Sequence, residues 1–233
     1  MNDPTQLPAS RPGEVQAFLK KLADTPKVAP AGRKGRLIFA LDATASREAT
    51  WNQACKIQGC MFEAAASFGG LEIQLCHYRG MAEFSASPWL IRAEDLRRRM
   101  DGVECIGGYT QIGEVLRHAL EESRQRKVDA LVFVGDCLEE NVDELCRRAG
   151  ELGLLGVKTF LFQEGRDADA ERAFRQIARL THGAYCRFDA GSAGQLLELL
   201  RAVAVYAAGG IQALENLGRG DAVLQLTRQM QKP

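Results

Sequence analysis

Five oxygen-bearing side chains, Asp42, Thr44, Ser46, Thr110 and Asp136, are the residues of this 233-residue chain whose types and spacing could do chemistry. Asp42-Ala43-Thr44-Ala45-Ser46 follows a short apolar run at 37–41. Thr110 follows Gly107-Gly108-Tyr109 and opens a helical pattern, and Asp136 follows the apolar run at 130–135. Positions two apart in an extended segment point the same way, so Asp42, Thr44 and Ser46 can converge while the two alanines turn aside. Gly107-Gly108 lets the backbone bend enough to bring the Thr110 hydroxyl to the same point. In a parallel sheet, ligands collect outside the carboxyl ends of the strands, and each of these three clusters occupies such a position.

Two carboxylates about 6 Å apart repel by roughly 3 kcal/mol at an effective dielectric near 20, a cost that a shared divalent cation turns into attraction. The cluster offers only hydroxyls and carboxylates, so the cation should be hard. Magnesium is the expectation, with manganese or calcium as substitutes; the histidine and thiolate ligands typical of zinc are absent from the cluster. Helix capping would explain Ser46 or Thr110 singly, but not all five residues together.

The elements that must position these residues read as an α/β, doubly wound, mostly parallel six-stranded sheet with one antiparallel edge strand, a three-layer sandwich. Strands are expected near 37–41, 72–77, 81–85, 130–135, 157–162 and 184–187. Helices are expected near 47–67, 93–100, 111–126, 142–152, 170–181 and 193–207. The turn-sized gap at Arg79-Gly80 makes the third strand antiparallel and places it at the edge. Residues 1–35 read as an N-terminal helical arm and linker, 36–207 as the main domain, and 208–233 as a helical tail after Gly209-Gly210, docking on the domain or on a partner.

Thirty Lys+Arg against thirty Asp+Glu leave a formal net charge of zero, which gives no broad attraction for nucleic acid or an anionic membrane. The segment 1–11 lacks the basic and apolar regions of a signal peptide, and the apolar stretch at 196–211 carries Glu198 and Arg201, so it is not a clean membrane span. A cytoplasmic location is the default expectation. Seven cysteines, odd in number and never spaced C-x-x-C, read as reduced and mostly buried.

The three elements 37–46 (LIFALDATAS), 107–113 (GGYTQIG) and 131–136 (LVFVGD) resemble, in order and spacing, a von Willebrand factor type A domain of the stand-alone bacterial kind. The metal-ion-dependent adhesion site of that family is built from D-x-S-x-S, a loop Thr and a later Asp. The likeness covers about residues 36–207. It implies that Thr44, Ser46 and Thr110 touch the metal through hydroxyls and that Asp42 and Asp136 act partly through bound water. It also implies a protein partner whose Asp or Glu completes the coordination, with an ATPase or chaperone-like machine as the kind of partner such proteins work beside. The chain departs from the pattern twice: Thr44 replaces the usual Ser, and Cys137 follows Asp136 where the family often has Gly.

Rival chemistries were weighed on the same residues. Cys137 and His77 fall near expected strand ends, as the nucleophile and base of a caspase-like cysteine hydrolase would, but the acidic neighbour of Cys137 raises rather than lowers a thiol pKa. A haloacid-dehalogenase-like phosphatase would use Asp42 as its nucleophile but needs a second Asp where Thr44 stands. No Walker or Rossmann glycine motif is present. His118 and His182 read as surface residues, Arg97-Arg98-Arg99 as a solvated helix face, and the tripeptides Gln53-Ala54-Cys55 and Arg219-Gly220-Asp221 as chance matches.

Overall fold

The strand that ends at Asp42 is buried at every residue, as a strand covered on both faces must be, and this explains its near-continuous apolar sequence. The computed structural model describes residues 34–57, 59–66, 69–188, 193–217 and 220–230. The expected helix of the N-terminal arm lies outside these residues. The six strands are β1 (Gly35–Asp42), β2 (Leu71–Arg79), β3 (Glu83–Ala86), β4 (Ala130–Gly135), β5 (Lys158–Glu164) and β6 (Ala184–Phe188). They lie in the order β3-β2-β1-β4-β5-β6. Every neighbouring pair is parallel except β2 with β3.

Among the described residues the α-helices that flank the sheet are α1 (Glu48–Ile57), α2 (Gly59–Ala65), α3 (Ala93–Asp101), α4 (Ile112–Gln125), α5 (Val142–Leu154), α6 (Ala168–Leu180), α7 (Ala193–Asn216) and α8 (Asp221–Met230). The alternation of β1 divides the core between two faces. Leu37, Phe39 and Leu41 pack with Trp51 of α1, Met61 of α2, Met100 of α3 and Leu200 of α7. Ile38 and Ala40 pack with Leu116 of α4, Leu145 of α5 and Phe174 of α6. The three-layer α/β expectation is met.

Local boundaries differ from the sequence reading in three places. The third strand begins at Glu83 rather than at Met81, because pairing of Arg79 with Glu83 leaves Gly80, Met81 and Ala82 as a three-residue loop. The first long helix begins instead with a 3-10 turn (Ala45–Arg47), and its α-helical residues are Glu48–Ile57 and Gly59–Ala65. Of the seven free cysteines only Cys76 and Cys186 are fully buried; the other five are half-buried, because they lie on helices and loops rather than inside strands. His118 is likewise half-buried, bonded to Gln74 Oε1 at 2.9 Å and set against Phe84.

Helix α7 has the length and apolarity of a membrane span. Its apolar side chains, among them Leu196, Leu199, Leu200 and Val203, are buried in the core beneath the sheet, which accounts for that composition. Gly210, at φ 73 and ψ −168, interrupts the helical backbone where the sequence places Gly209-Gly210. Beyond it the tail docks on the domain: Leu214 and Leu226 enter the core.

Helix α8 also finishes the sheet. The open side of β6 would leave the backbone of Tyr185 unpaired, and Gln229 supplies both partners. Its Oε1 accepts from Tyr185 N at 2.9 Å, and its Nε2 donates to Tyr185 O at 2.8 Å. Gln229→Ala keeps a good helix former but leaves two backbone groups of a buried residue unsatisfied. It should lower stability by about 1–3 kcal/mol in urea unfolding. A change smaller than a few tenths of a kcal/mol would mean that water replaces the amide without cost.

Candidate metal centre

Asp42 is the last residue of β1 and is 2% exposed, so both of its oxygens must find partners inside the protein. Oδ1 accepts from Thr44 N at 2.7 Å, a local turn bond that fixes the backbone as it leaves the strand. Oδ2 accepts from the hydroxyl of Tyr78, at the end of the neighbouring β2, at 3.1 Å. The Thr44 and Ser46 hydroxyl oxygens stand 3.3 Å apart, as same-side positions should. Ser46 then donates to Asp136 Oδ2 at 3.0 Å, across 90 residues of sequence. A Cβ on Gly135, which precedes Asp136, would clash with the Phe133 ring at 2.7 Å and lie 3.8 Å from Asp42 Cβ, so the carboxyl end of β4 comes close beside β1.

Four of the five expected residues are thus joined in one chain of hydrogen bonds. Thr110 arrives by a separate route. Ile106 N donates to Ala43 O at 3.0 Å and Tyr109 N to Gly80 O at 3.1 Å, which lays the 104–109 loop over the ends of β1 and β2. Gly108 is required there, since a Cβ would fall 1.8 Å from Gly80 O. Thr110 N then donates to Glu139 Oε2 and the Thr110 hydroxyl accepts from Glu139 N, both at 3.0 Å. Thr110 is therefore held against the same β4–α5 loop that carries Asp136. Among the described residues no hydrogen bond joins it to Asp42, Thr44 or Ser46.

The electrostatics of the cluster are those of crowded acid. Burial first, then repulsion from Asp136, pushes the Asp42 carboxyl above the usual range, against the bonds from Thr44. Tyr78 is pushed well up by burial and by Asp42. Arg47, 2% exposed and next to Ser46, pairs with Glu164, which also accepts from Thr50. Burial lowers the Arg47 pKa, and Asp136 and Asp42 hold it up. Glu140 accepts from Ile112 N at 2.5 Å and Gly113 N at 2.8 Å, which caps α4, and its carboxylate also accepts from the Thr110 hydroxyl. Tyr78, Arg47 and Glu139 escaped the sequence reading, since none lies in the three-part pattern and each is defined by partners far along the chain.

The arrangement fits a hard cation on one specific count. Asp136 Oδ1 is buried without a hydrogen-bond partner, and an orphaned carboxylate oxygen beside a second carboxylate calls for positive charge. The donors that could hold it are the Asp42 and Asp136 carboxylates and the hydroxyls of Thr44 and Ser46, with Thr110 at the rim. Among the described residues no group of three or more His, Cys, Asp or Glu side chains is placed to hold a metal ion, so a cation here would depend on the hydroxyls as well as on the two carboxylates.

The hydrolase pair is not assembled. The His77 ring lies edge-on to Trp51 at 5.7 Å, and burial lowers its pKa. The Cys137 thiol is pushed up to about 12 by burial and by Asp136, and no hydrogen bond joins the two residues.

No family model matches the chain, and no curated protein matches it by sequence. Solved structures do. The chain is similar to a von Willebrand factor type A protein from Catenulispora acidiphila at TM-score 0.63 and 14% identity, over 76% of this chain and 43% of that one. It is similar to the SpRpn10 VWA domain at TM-score 0.57 and 12% identity, over 73% and 95%. The third is proximal thread matrix protein 1 of the mussel byssus, with a zinc-occupied MIDAS motif, at TM-score 0.58 and 17% identity over 82% and 52%. The chain thus spans less than half of the Catenulispora protein. With the sheet order and the helical layers described above, these likenesses show that the chain has the von Willebrand factor type A fold.

Proposed function

We propose that the chain is a divalent-cation-dependent protein-binding module, in which the cation sits between Asp42, Thr44, Ser46 and Asp136, with Thr110 at its rim, and takes an Asp or Glu side chain from a protein partner. The observation that carries this reading is the buried, unpartnered Asp136 Oδ1, facing a chain of oxygens that leads back to Asp42. The zinc recorded in the mussel protein's MIDAS motif supports a divalent ion at this place in the fold. Magnesium suits the all-oxygen donor set best, because it keeps several waters and needs few protein ligands. When bound, the ion supplies an open coordination position. The protein supplies two carboxylates that balance the charge of the ion, neutral hydroxyls that add ligands without adding negative charge, and the buried strand ends that hold the ligands in place. Seven free thiols favour a reducing, cytoplasmic setting.

Metal titration tests the reading. At about 100 times its Kd, magnesium should add roughly 2.7 kcal/mol of stability, or about 5–10 °C in Tm for a chain of this size. Asp42→Ala and Asp136→Asn should each abolish that rise while the proteins still unfold cooperatively. A flat calorimetric titration with magnesium, manganese and calcium alike would reduce the cluster to a set of caps.

The alternative of a cysteine hydrolase makes its own forecast. A thiol pKa near 12 in place of 9.0 leaves about a thousandfold less thiolate near neutral pH, so Cys137 should alkylate far more slowly than an unperturbed cysteine. Fast labelling of Cys137 by iodoacetamide, joined to peptide hydrolysis that Cys137→Ala removes, would reverse the assignment.

A further inference from the structure

The carboxyl edge of the sheet bears large apolar side chains as well as oxygens. Met81 is 72% exposed, Tyr109 53% and Ile106 40%, and they lie in two loops that are bonded to each other. Gly80 N donates to Ile106 O at 3.4 Å, Tyr109 N donates to Gly80 O at 3.1 Å, and Gly108 lies directly against Gly80. Arg79 adds a bond from Nη1 to Glu104 O at 3.0 Å, and Gln111 one from Nε2 to Arg79 O at 3.2 Å. The same loop is pinned to the metal-site segment itself, through Ile106 N to Ala43 O at 3.0 Å.

These bonds matter for two reasons. They fix the backbone at Ile106 and Tyr109 and at Gly80, next to Met81, so holding the side chains outward costs little further ordering when something binds. They also tie the apolar group to Ala43, between Asp42 and Thr44, so whatever reaches the cation passes beside it. Isolated exposed apolar residues need no explanation, but three large ones gathered on hydrogen-bonded loops next to a polar cluster are the pattern of a recognition surface. Methionine and tyrosine in particular give adaptable and rigid contact area respectively.

Building on the cation-dependent reading above, we propose that Met81, Ile106 and Tyr109 form the second half of the recognition site, and that its occupant is an acidic protein segment with a bulky apolar side chain within two residues of the carboxylate that meets the cation. The charge complementarity settles the occupant. A cation held by two carboxylates and neutral hydroxyls draws an anionic ligand, and the collar beside it rewards an apolar neighbour on the same segment. A purely apolar peptide would satisfy only one half.

The test is a selection on the full chain, immobilised in magnesium, from a phage-displayed library of random 12-residue peptides, with bound phage eluted by a chelator. The expected pool is rich in Asp or Glu with Phe, Leu, Trp or Met one or two positions away. A synthetic peptide from that pool should bind about tenfold or more weakly to Met81→Ser/Tyr109→Ser, whose changes lie at exposed positions. Circular dichroism and the magnesium-induced rise in Tm should be unchanged in that variant. An eluted pool that is acidic but has no apolar neighbour, or equal affinity for the double variant, overturns the collar and leaves the cation-dependent module standing. No chelator-eluted pool at all overturns the module and the collar with it. Concentration-dependent dimers that the double variant abolishes would make the occupant a second copy and overturn the inference.

Discussion

The structure turns on two carboxylates forced together at the ends of adjacent parallel strands. β1 and β4 pair in register from Leu37 with Ala130 to Leu41 with Val134, so Asp42 leaves β1 level with Gly135, and Asp136 follows one residue later at the same end of the sheet. Folding brings like charges close in a place with little water, and the protein answers with neutral donors. Thr44 N and Tyr78 OH satisfy Asp42, and Ser46 satisfies one oxygen of Asp136. The other oxygen of Asp136 is left alone. Hydrogen bonds from neutral groups ease the desolvation of a carboxylate but cannot cancel its repulsion by another, and this residual demand is what distinguishes a metal-competent edge from a row of helix caps.

The opposite pole of the sheet solves the converse problem, a buried cation, with resident partners. Arg36 opens β1 with its guanidinium 3.7 Å from the centre of the Trp89 ring. It donates to Glu122 Oε2 at 3.1 Å, and the same carboxylate oxygen accepts from Trp89 Nε1 at 2.8 Å. Its backbone N–H donates to Asp129. This end is closed by side chains already in the chain, which bind β1 to α4 and to the segment after β3. The comparison sharpens the reading of the carboxyl edge. One strand carries a cation paired with a carboxylate at its start and a carboxylate crowded by another carboxylate at its end.

How much of this was legible in the sequence follows from the range of the interactions. β1 and β4 announced themselves as unbroken apolar runs because both faces of each are buried, and the alternation of Asp42, Thr44 and Ser46 is a local property that holds in the structure. Thr110 was legible as a helix opener, but its engagement by Glu139 depends on a loop 29 residues away. Tyr78 lay just past the strand expected at 72–77, although β2 runs on to Arg79 and aims the Tyr78 hydroxyl at Asp42. Arg47 carried no signal, because its partner Glu164 is 117 residues distant. Gln229 is the extreme case: a polar residue in a weak helical pattern completes the hydrogen bonding of a sheet edge 44 residues earlier. Sequence periodicity reports which face is buried, and it is silent on which polar group meets which.

Charge balance explains why the edge suits an anionic partner in spite of its own acids. Arg47 is buried and its pairing with Glu164 cancels within the domain, so the two contribute no net charge to the cluster. Asp42 and Asp136 together match a divalent cation, and the hydroxyls of Thr44, Ser46 and Thr110 add ligands without adding charge. A site built from more carboxylates would bind the ion more tightly but would repel an incoming Asp or Glu; one built from fewer would not retain the ion. Two acids among hydroxyls is the composition at which a held cation still draws an acidic side chain.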